Sequence, residues 1–152
     1  KKLSLRKGDI TEEVSVKIPA GISSGKKLRL AGKGLRSPYG GPAGDLYLNI
    51  QVLPHPIFSR DGDDLYVEKT VSFSQACLGT TIDVPTLGGP PKRMKVPPGT
   101  QSNTKIRMKG FGVPHLKGEG RGDQYVRIFV DVPKRLNARQ TELIKKLAEE
   151  GL

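Results

Sequence analysis

Apolar and polar residues alternate in several short segments of the chain, a pattern typical of β-strands with one buried face. Residues 14–18, 27–30 and 45–52 carry apolar side chains at every second position, and Pro or Gly residues follow the first two segments. The third segment places four apolar side chains on one face: Leu46, Leu48, Ile50 and Val52. The pattern predicts a chain of short strands separated by turns.

The strand pattern occurs twice, and the two occurrences are 78 residues apart. Residues 17–52 align with residues 95–130 without a gap. The aligned pairs include glycines, charged residues and aromatic residues: Gly21 with Gly99, Gly32 with Gly110, Arg29 with Arg107, Asp45 with Asp123, and Tyr47 with Tyr125. A solenoid repeat is shorter, at roughly 20–50 residues. We therefore interpret the chain as two tandem copies of one small domain, called the first and the second repeat below.

The two repeats differ where they begin. The second repeat opens with an alternating segment at residues 65–73, followed by a short turn and a strand at 81–84. In the first repeat only sixteen residues precede Lys17, and Leu3-Ser4-Leu5 is assigned as the counterpart of Ile82-Asp83-Val84. We expect the first repeat to lack its opening strand, and a longer protein to extend beyond Lys1.

The pattern changes after Pro133, where residues 137–140 (Asn-Ala-Arg-Gln) form a capping box that predicts the start of a helix. The apolar residues that follow recur at helical spacing: Leu143, Ile144, Leu147 and Ala148. Together these patterns predict an all-β fold of two tandem, homologous, small β-sandwich or barrel-like domains followed by a C-terminal helix. The predicted boundaries are residues 1–62, 63–133 and 134–152.

The chain is basic, with 26 Lys and Arg against 15 Asp and Glu and a formal charge of +11. Such an excess of positive charge favours binding to nucleic acid, acidic membranes or acidic protein tails, but it is also typical of a solvated surface that binds none of them. The basic residues are spread along the chain without a run of five like charges, which favours the solvated surface.

The sequence offers little catalytic chemistry. The single cysteine, Cys77, excludes an intrachain disulfide and a multi-cysteine zinc site, and its apolar neighbours predict a small core residue. His55 and His115 stand beside prolines and are interpreted as turn residues, and Asp61-Gly62-Asp63-Asp64 as a polar turn. We expect no catalytic residue, metal or cofactor. The single cysteine fits a cytoplasmic setting, and no apolar run approaches the about 18 residues that span a bilayer, so no membrane contact is expected.

Several motifs resemble the C-terminal domains of DnaJ-type co-chaperones, and they occur in order over nearly the whole chain. They are IPAGI at 18–22, LRLAGKG at 28–34, PAGDLY at 42–47, HPIFSRDGDDL at 55–65, VPTLGG at 84–89 and LNARQ at 136–140. The J domain of that family, with its His-Pro-Asp triplet, is missing, since His55-Pro56 is followed by Ile57. The cysteine pairs of its zinc region are missing too, so the chain resembles the zinc-free subclass.

The resemblance implies three groups of site residues. Leu3, Leu5 and Phe58 would line an apolar groove for non-native polypeptide, although alternation alone leaves the two leucines equally assignable to the core. Lys1, Lys2 and Arg6 would bind the acidic tail of a partner chaperone. Leu143, Ile144 and Leu147 would form a homodimer contact, with packing on their own domain as the alternative.

The sequence therefore predicts a module that holds unfolded polypeptide and presents it to a DnaK-type ATPase chaperone. Two other functions stay open, a DNA-binding nucleoid protein and a dimerisation scaffold without clients. DNA binding rests on charge alone and should fall steeply as salt rises, whereas binding in an apolar groove should be nearly insensitive to salt.

Overall fold

The computed structural model describes residues 1–7 and 10–152, and short strands make up most of its regular structure. The first part of the chain contains β1 (Lys2–Lys7), β2 (Ile10–Ser15), β3 (Lys27–Leu30), β4 (Leu46–Asn49) and β5 (Ser59–Asp61). The second part contains β6 (Asp64–Ser72), α1 (Phe73–Leu78), β7 (Thr80–Thr86), β8 (Gly89–Val96), β9 (Thr104–Met108), β10 (Gln124–Asp131) and α2 (Ala138–Glu149). The predicted all-β fold with a C-terminal helix is confirmed.

The strands form small sheets. β1 pairs with β2, β3 with β4 and β7 with β8, each as an antiparallel pair, and a four-stranded sheet has the order β5-β6-β10-β9. The β3–β4 pair and the β9–β10 pair stand 78 residues apart, as do β2 and the first part of β8. The sheet topology therefore follows the duplication predicted from the sequence.

The duplication also extends to single hydrogen bonds. In each repeat one aspartate accepts a bond from an arginine Nε and another from a glycine N–H. The distances are 2.6 and 2.9 Å for Asp45 with Arg29 and Gly32, and 3.0 and 2.8 Å for Asp123 with Arg107 and Gly110. A serine Oγ likewise accepts from a strand-end amide, Ser24 from Val52 and Ser102 from Val130. The two repeats are thus folded in the same way.

Two compact units divide the described residues, and their boundaries fall inside β6, β9 and β10. One unit comprises residues 1–67 and 107–125, with a core of Val14, Val16, Ile22, Leu65, Val67 and Val113. The other comprises residues 68–106 and 126–152, with a core of Val71, Ala76, Val84, Met94, Val96, Val126 and Ile128. The division predicted from the sequence, at residues 62 and 133, stays a prediction.

The structure corrects three details of the sequence interpretation. The short turn predicted after residue 73 is the helix α1, which begins with a capping box formed by Ser72 and Gln75. Cys77, predicted as a core residue, is exposed, because α1 buries only Ala76 and the next residue points about 100° away around a helix. β4 ends at Asn49, so Val52 lies beyond the strand and is exposed.

A fourth correction concerns the register of the N-terminal strand. Leu3 pairs with Val14, whose counterpart 78 residues later is Lys92, and Lys92 pairs with Val84. The counterpart of Leu3 is therefore Val84 and not Ile82. Because register shifts of two residues keep every side chain on the same face, alternation could not detect the error.

The predicted C-terminal helix is confirmed with its caps. The side chain of Asn137 accepts from the N–H of Gln140 at 2.8 Å, and the side chain of Gln140 accepts from the N–H of Asn137 at 3.0 Å. At the other end Gly151 has a φ of 83° and Leu152 N donates to Leu147 O at 3.1 Å, the bond pattern of a Schellman motif.

Candidate functional site

The first candidate surface is the strand β1, which carries four of the five predicted site residues near the N-terminus, and Lys1 directly precedes it. Leu3 pairs with Val14 and Leu5 with Glu12, and residues directly opposite each other point to the same face. Val14 is buried, so Leu3 and Leu5 lie on the core side of the β1–β2 pair, where both are half-buried. Lys2 and Arg6 lie on the opposite face and are exposed.

The backbone of β1 offers an edge to a further strand. Lys1 and Val16 exchange two hydrogen bonds, of 2.6 Å from Lys1 N and 2.8 Å from Val16 N. Because bonding alternates along an antiparallel pair, Leu3 and Leu5 also bond toward β2, and the N–H and C=O of Lys2 and Ser4 point away from it. Among the residues that the structure describes, β1 pairs with β2 alone.

The equivalent edge in the second repeat is blocked by proline. Pro85 follows Val84 in β7 and is therefore the counterpart of Ser4, and the ladder shifts its register at this point. Proline has no N–H to donate, and a bulge twists an edge away from an incoming strand. Val84 is fully buried whereas Leu3 is half-buried, so the first repeat has both the donor and the apolar surface.

An ion pair borders the apolar face of β1. Lys33 Nζ lies 2.5 Å from Glu12 Oε1, and Glu12 is the cross-strand neighbour of Leu5. Both charged side chains keep more than a third of their surface exposed, so the pair adds little stability. It places a charged rim beside Leu5, at one end of the half-buried apolar strip.

Phe58, the third predicted groove residue, lies in the segment that precedes β5. His55 Nδ1 accepts the N–H groups of Ile57 and Phe58 at 3.1 and 3.3 Å, and the rings of His55 and Phe58 lie 5.0 Å apart between centroids. His55 is therefore a turn residue, as predicted. The turn holds Phe58 half-buried, while Leu53 and Ile57 nearby are exposed.

Arg60 fixes this segment to the first repeat. Its guanidinium donates to the carbonyl oxygens of Gly21 and Ile22 at 2.7 and 2.9 Å, and to that of Gly62 at 2.7 Å. Gly21 is tightly enclosed, because a Cβ there would lie 2.0 Å from the carbonyl oxygen of Pro114. The position of Phe58 is thus set by contacts that the sequence pattern did not indicate.

A second long-range contact stabilises the turn between β5 and β6. His115 Nδ1 lies 2.7 Å from Asp63 Oδ2, and Val113 N donates to Asp63 O at 2.8 Å. Gly112 and Gly122 allow the close approach, since a Cβ on either would fall 2.4 Å or less from Asp63 O. His115 and the turn at Asp63 were assigned separately from the sequence, which contained no signal that they meet.

The other predicted site residues, except Leu147, are exposed. Lys1, Lys2 and Arg6 lie on or beside β1. On α2, Leu143 and Ile144 are 54% and 45% exposed, Leu147 is half-buried, and no residue of this helix is buried. The structure thus brings Leu3 and Leu5 onto one face, holds Phe58 in a separate turn, and leaves the apolar stripe of α2 largely uncovered.

Charge and metal chemistry are limited in the described part of the chain. The N–H of Gly32, and then the guanidinium of Arg29, hold the pKa of Asp45 below its ordinary value. Outside residues 8 and 9, no three His, Cys, Asp or Glu side chains are grouped closely enough to hold a metal ion. Within the same residues, neither helix has the length and apolar content to cross a membrane.

A comparison with known proteins identifies the family. Residues 1–133 match the family model described as the DnaJ C-terminal domain. The chain belongs to the DnaJ family. The relatives of this DnaJ C-terminal region include a "Chaperone protein DnaJ" of Leptospira biflexa, 46% identical over 91% of the chain, and one of Methanothermobacter thermautotrophicus, 49% identical over 91%. "Chaperone protein DnaJ 2" of Aquifex aeolicus is 51% identical over 84%.

The matches cover 37%, 36% and 34% of those three relatives, so the DnaJ C-terminal region spans little more than a third of their length. The family assignment confirms the resemblance on which the site residues were predicted. The groove, the acidic-tail site and the dimer contact themselves stay predictions.

Proposed function

We propose that this chain is the part of a DnaJ-type cytoplasmic co-chaperone that holds non-native polypeptide and presents it to a DnaK-type ATPase. An extended client segment adds to the edge of β1, and its apolar side chains contact Leu3, Leu5 and Phe58. Backbone bonds supply affinity in this mode of recognition, and the side-chain contacts select apolar sequences. The carrying observation is the β1 edge, where outward-pointing backbone groups accompany half-buried leucines.

The basic residues beside this edge suit a second contact. Lys1, Lys2 and Arg6 are exposed around β1, and we propose that they attract an acidic segment of the partner chaperone. Attraction between exposed charges is screened by salt, with a Debye length of about 10 Å at 0.1 M. Binding of such a segment should therefore weaken with salt, unlike binding of an apolar client.

The exposed stripe of α2 supports the proposed homodimer. Leu143 and Ile144 are apolar side chains that a monomer leaves in water, and a twin helix would cover them. Two client sites on one dimer raise the avidity for a long unfolded chain through effective concentration.

The test uses fluorescence polarisation with a labelled, apolar-rich unfolded peptide, at low and at high salt. We expect salt-insensitive binding that weakens in Phe58→Ala, whereas Leu53→Ala, an exposed residue of the same segment, serves as the matched control. Loss of peptide binding at high salt, with Phe58→Ala equal to the wild type, would reject the groove and favour the DNA-binding alternative. No binding under any condition would favour the scaffold.

A second pair of variants tests the edge itself. Ser4→Pro removes an N–H that points away from β2, so it should reduce peptide binding while the β1–β2 pair remains intact. Glu13→Pro makes the same change on the other edge of the pair and should leave binding unchanged. Both variants should fold, because the second repeat carries Pro85 and Pro91 at the equivalent positions. Equal binding by wild type and Ser4→Pro would place the client elsewhere.

A further inference from the structure

The backbone is fixed on one side of Phe58 by β5. Ser59 and Arg60 directly follow Phe58, and they pair with Tyr66 and Leu65 of β6. The guanidinium of Arg60 also donates to two carbonyl oxygens of the first repeat. Because the chain is held from residue 59 onward, the placement of the Phe58 ring depends on the residues that precede it.

His55 holds the other side of Phe58. Its Nδ1 accepts the N–H of Ile57 at 3.1 Å and that of Phe58 at 3.3 Å. Pro56 has no N–H, so these two amides are the first donors that follow His55 in the chain. A side-chain acceptor that bonds the N–H two residues further on closes a turn, as aspartate and asparagine do in an Asx turn. The imidazole of His55 thus closes the turn that presents Phe58.

The same imidazole packs against the Phe58 ring. The two ring centroids lie 5.0 Å apart and the ring planes are inclined at 50°, within the range of distances that aromatic pairs prefer. His55 is exposed, whereas Phe58 is half-buried. One side chain in contact with water therefore sets both the backbone turn and the position of the Phe58 ring.

Both contacts require an imidazole without a proton on Nδ1. Neutral histidine accepts at one ring nitrogen, whereas protonated histidine donates at both. A proton on Nδ1 would face the two amide hydrogens, so the imidazole of His55 must turn, and the ring face against Phe58 turns with it. A cation is still attracted to an aromatic face, but that attraction supplies no acceptor for the two N–H groups. Histidine is the side chain whose charge ordinarily changes between pH 5 and 8.

The surroundings of His55 differ from those of the other histidine. In the part of the chain that the structure describes, the hydrogen bonds and the ring contact of the His55 side chain are to residues 57 and 58. The nearest charged residues along the chain are Arg60 and Asp61 of β5, and the Arg60 guanidinium is bonded to carbonyl oxygens. His115 Nδ1 instead lies 2.7 Å from a carboxylate oxygen of Asp63, a contact that a proton on the ring strengthens.

We propose that His55 is a positioning residue for client binding: the neutral imidazole holds Phe58 toward the client, and protonation releases it. This inference rests on the function proposed above and adds its regulation by pH. An apolar client segment is bound at pH 8 and is held more weakly as the pH falls toward 5. The contribution of Phe58 sets the upper limit of the change, because Leu3 and Leu5 carry no charge and keep their contacts.

Fluorescence polarisation at pH 8 and at pH 5 tests the proposal with a labelled apolar peptide that lacks His, Asp and Glu, so its own charge stays constant. We expect the wild type to bind about three- to ten-fold more weakly at pH 5, the size of effect that a hydrogen bond contributes. His55→Asn keeps an acceptor that does not titrate, so its affinity should be the same at both pH values. His115→Asn removes the other histidine and, as the matched control, should keep the change seen in the wild type.

Nuclear magnetic resonance of the 152-residue chain supplies a readout that needs no peptide. Nuclear Overhauser contacts between the rings of His55 and Phe58 should be present at pH 8 and lost at pH 5, and circular dichroism checks the fold at both. If the chain unfolds at pH 5, the comparison at pH 8 decides, where His55→Ala must bind more weakly than His55→Asn.

The outcomes separate this inference from the function on which it rests. If Phe58→Ala weakens binding at pH 8, but the wild type binds equally at both pH values or His55→Asn changes as the wild type does, then the role of His55 is wrong and the groove stands. If Phe58→Ala binds as the wild type does at pH 8, the groove assignment fails, and the role of His55 fails with it.

Discussion

The duplication provides a matched pair of positions for measuring how completely each repeat is covered. Ile128 and Ile50 occupy the same place in their repeats, and each has its backbone directed at the neighbouring strand. Ile128 has 0% of its surface exposed, whereas Ile50 is half-buried. Replacing each with alanine removes the same atoms from two different environments.

The expected losses differ severalfold. Ile128→Ala removes three buried carbons, each contributing about 0.8 kcal/mol, and leaves a cavity, so the free energy of unfolding should fall by about 3–4 kcal/mol. Ile50→Ala removes carbons that are only partly withdrawn from water, and the surrounding surface can collapse, so the loss should be about 1 kcal/mol.

Urea denaturation followed by far-UV circular dichroism measures the two losses, because the chain has no tryptophan to report by fluorescence. The two positions belong to different compact units, so residue-level hydrogen exchange should accompany the melts and assign each loss to its unit. Equal losses at both positions, or a greater loss at Ile50, would refute the view that the first repeat is the less completely covered one.

Three further predictions follow from single contacts. Arg60→Lys replaces a planar guanidinium, which donates to two carbonyl oxygens at once, with a single ammonium group. Thermal melts should therefore show a loss of about 1–2 kcal/mol in the free energy of unfolding, and peptide binding should weaken. Asp45 has a lowered pKa, so its stabilising contribution is present above its ordinary pKa and is lost as the pH falls through the lowered pKa. In a plot of melting temperature against pH, Asp45→Asn should therefore show a smaller decrease on the acid side than the wild type. Leu143→Glu with Ile144→Glu should convert a sedimenting dimer into a monomer, while a monomeric wild type would contradict the proposed α2 contact.

The sequence was informative where structure is local or repeated. Alternation predicted the short strands, the capping box at Asn137 predicted α2, and the ungapped alignment paired residues that make equivalent hydrogen bonds in the structure, such as Asp45 and Asp123. These features depend on neighbours within a few residues, or on comparing the chain with itself. Both kinds of information are contained in one sequence.

The sequence was uninformative where distant segments meet. Nothing in the pattern links His115 to Asp63, which is 52 residues away, or Arg60 to the carbonyl of Gly21. Each residue alone is typical of a polar loop, and only the tertiary fold supplies the partner. For the same reason alternation placed Leu3 and Leu5 on one face but could not tell how much of that face is covered.

The two repeats show how one fold acquires different edges. In the second repeat, β6 covers one side of β10, and Pro85 removes a donor from the edge equivalent to β1. In the first repeat, Ser4 keeps that donor at the edge of β1. The edge of β1 thus combines an outward-pointing N–H at Ser4 with the half-buried side chains of Leu3 and Leu5. Strand addition is therefore expected at this edge of the first repeat. The second repeat, with its covered core, is better suited to provide the stable support.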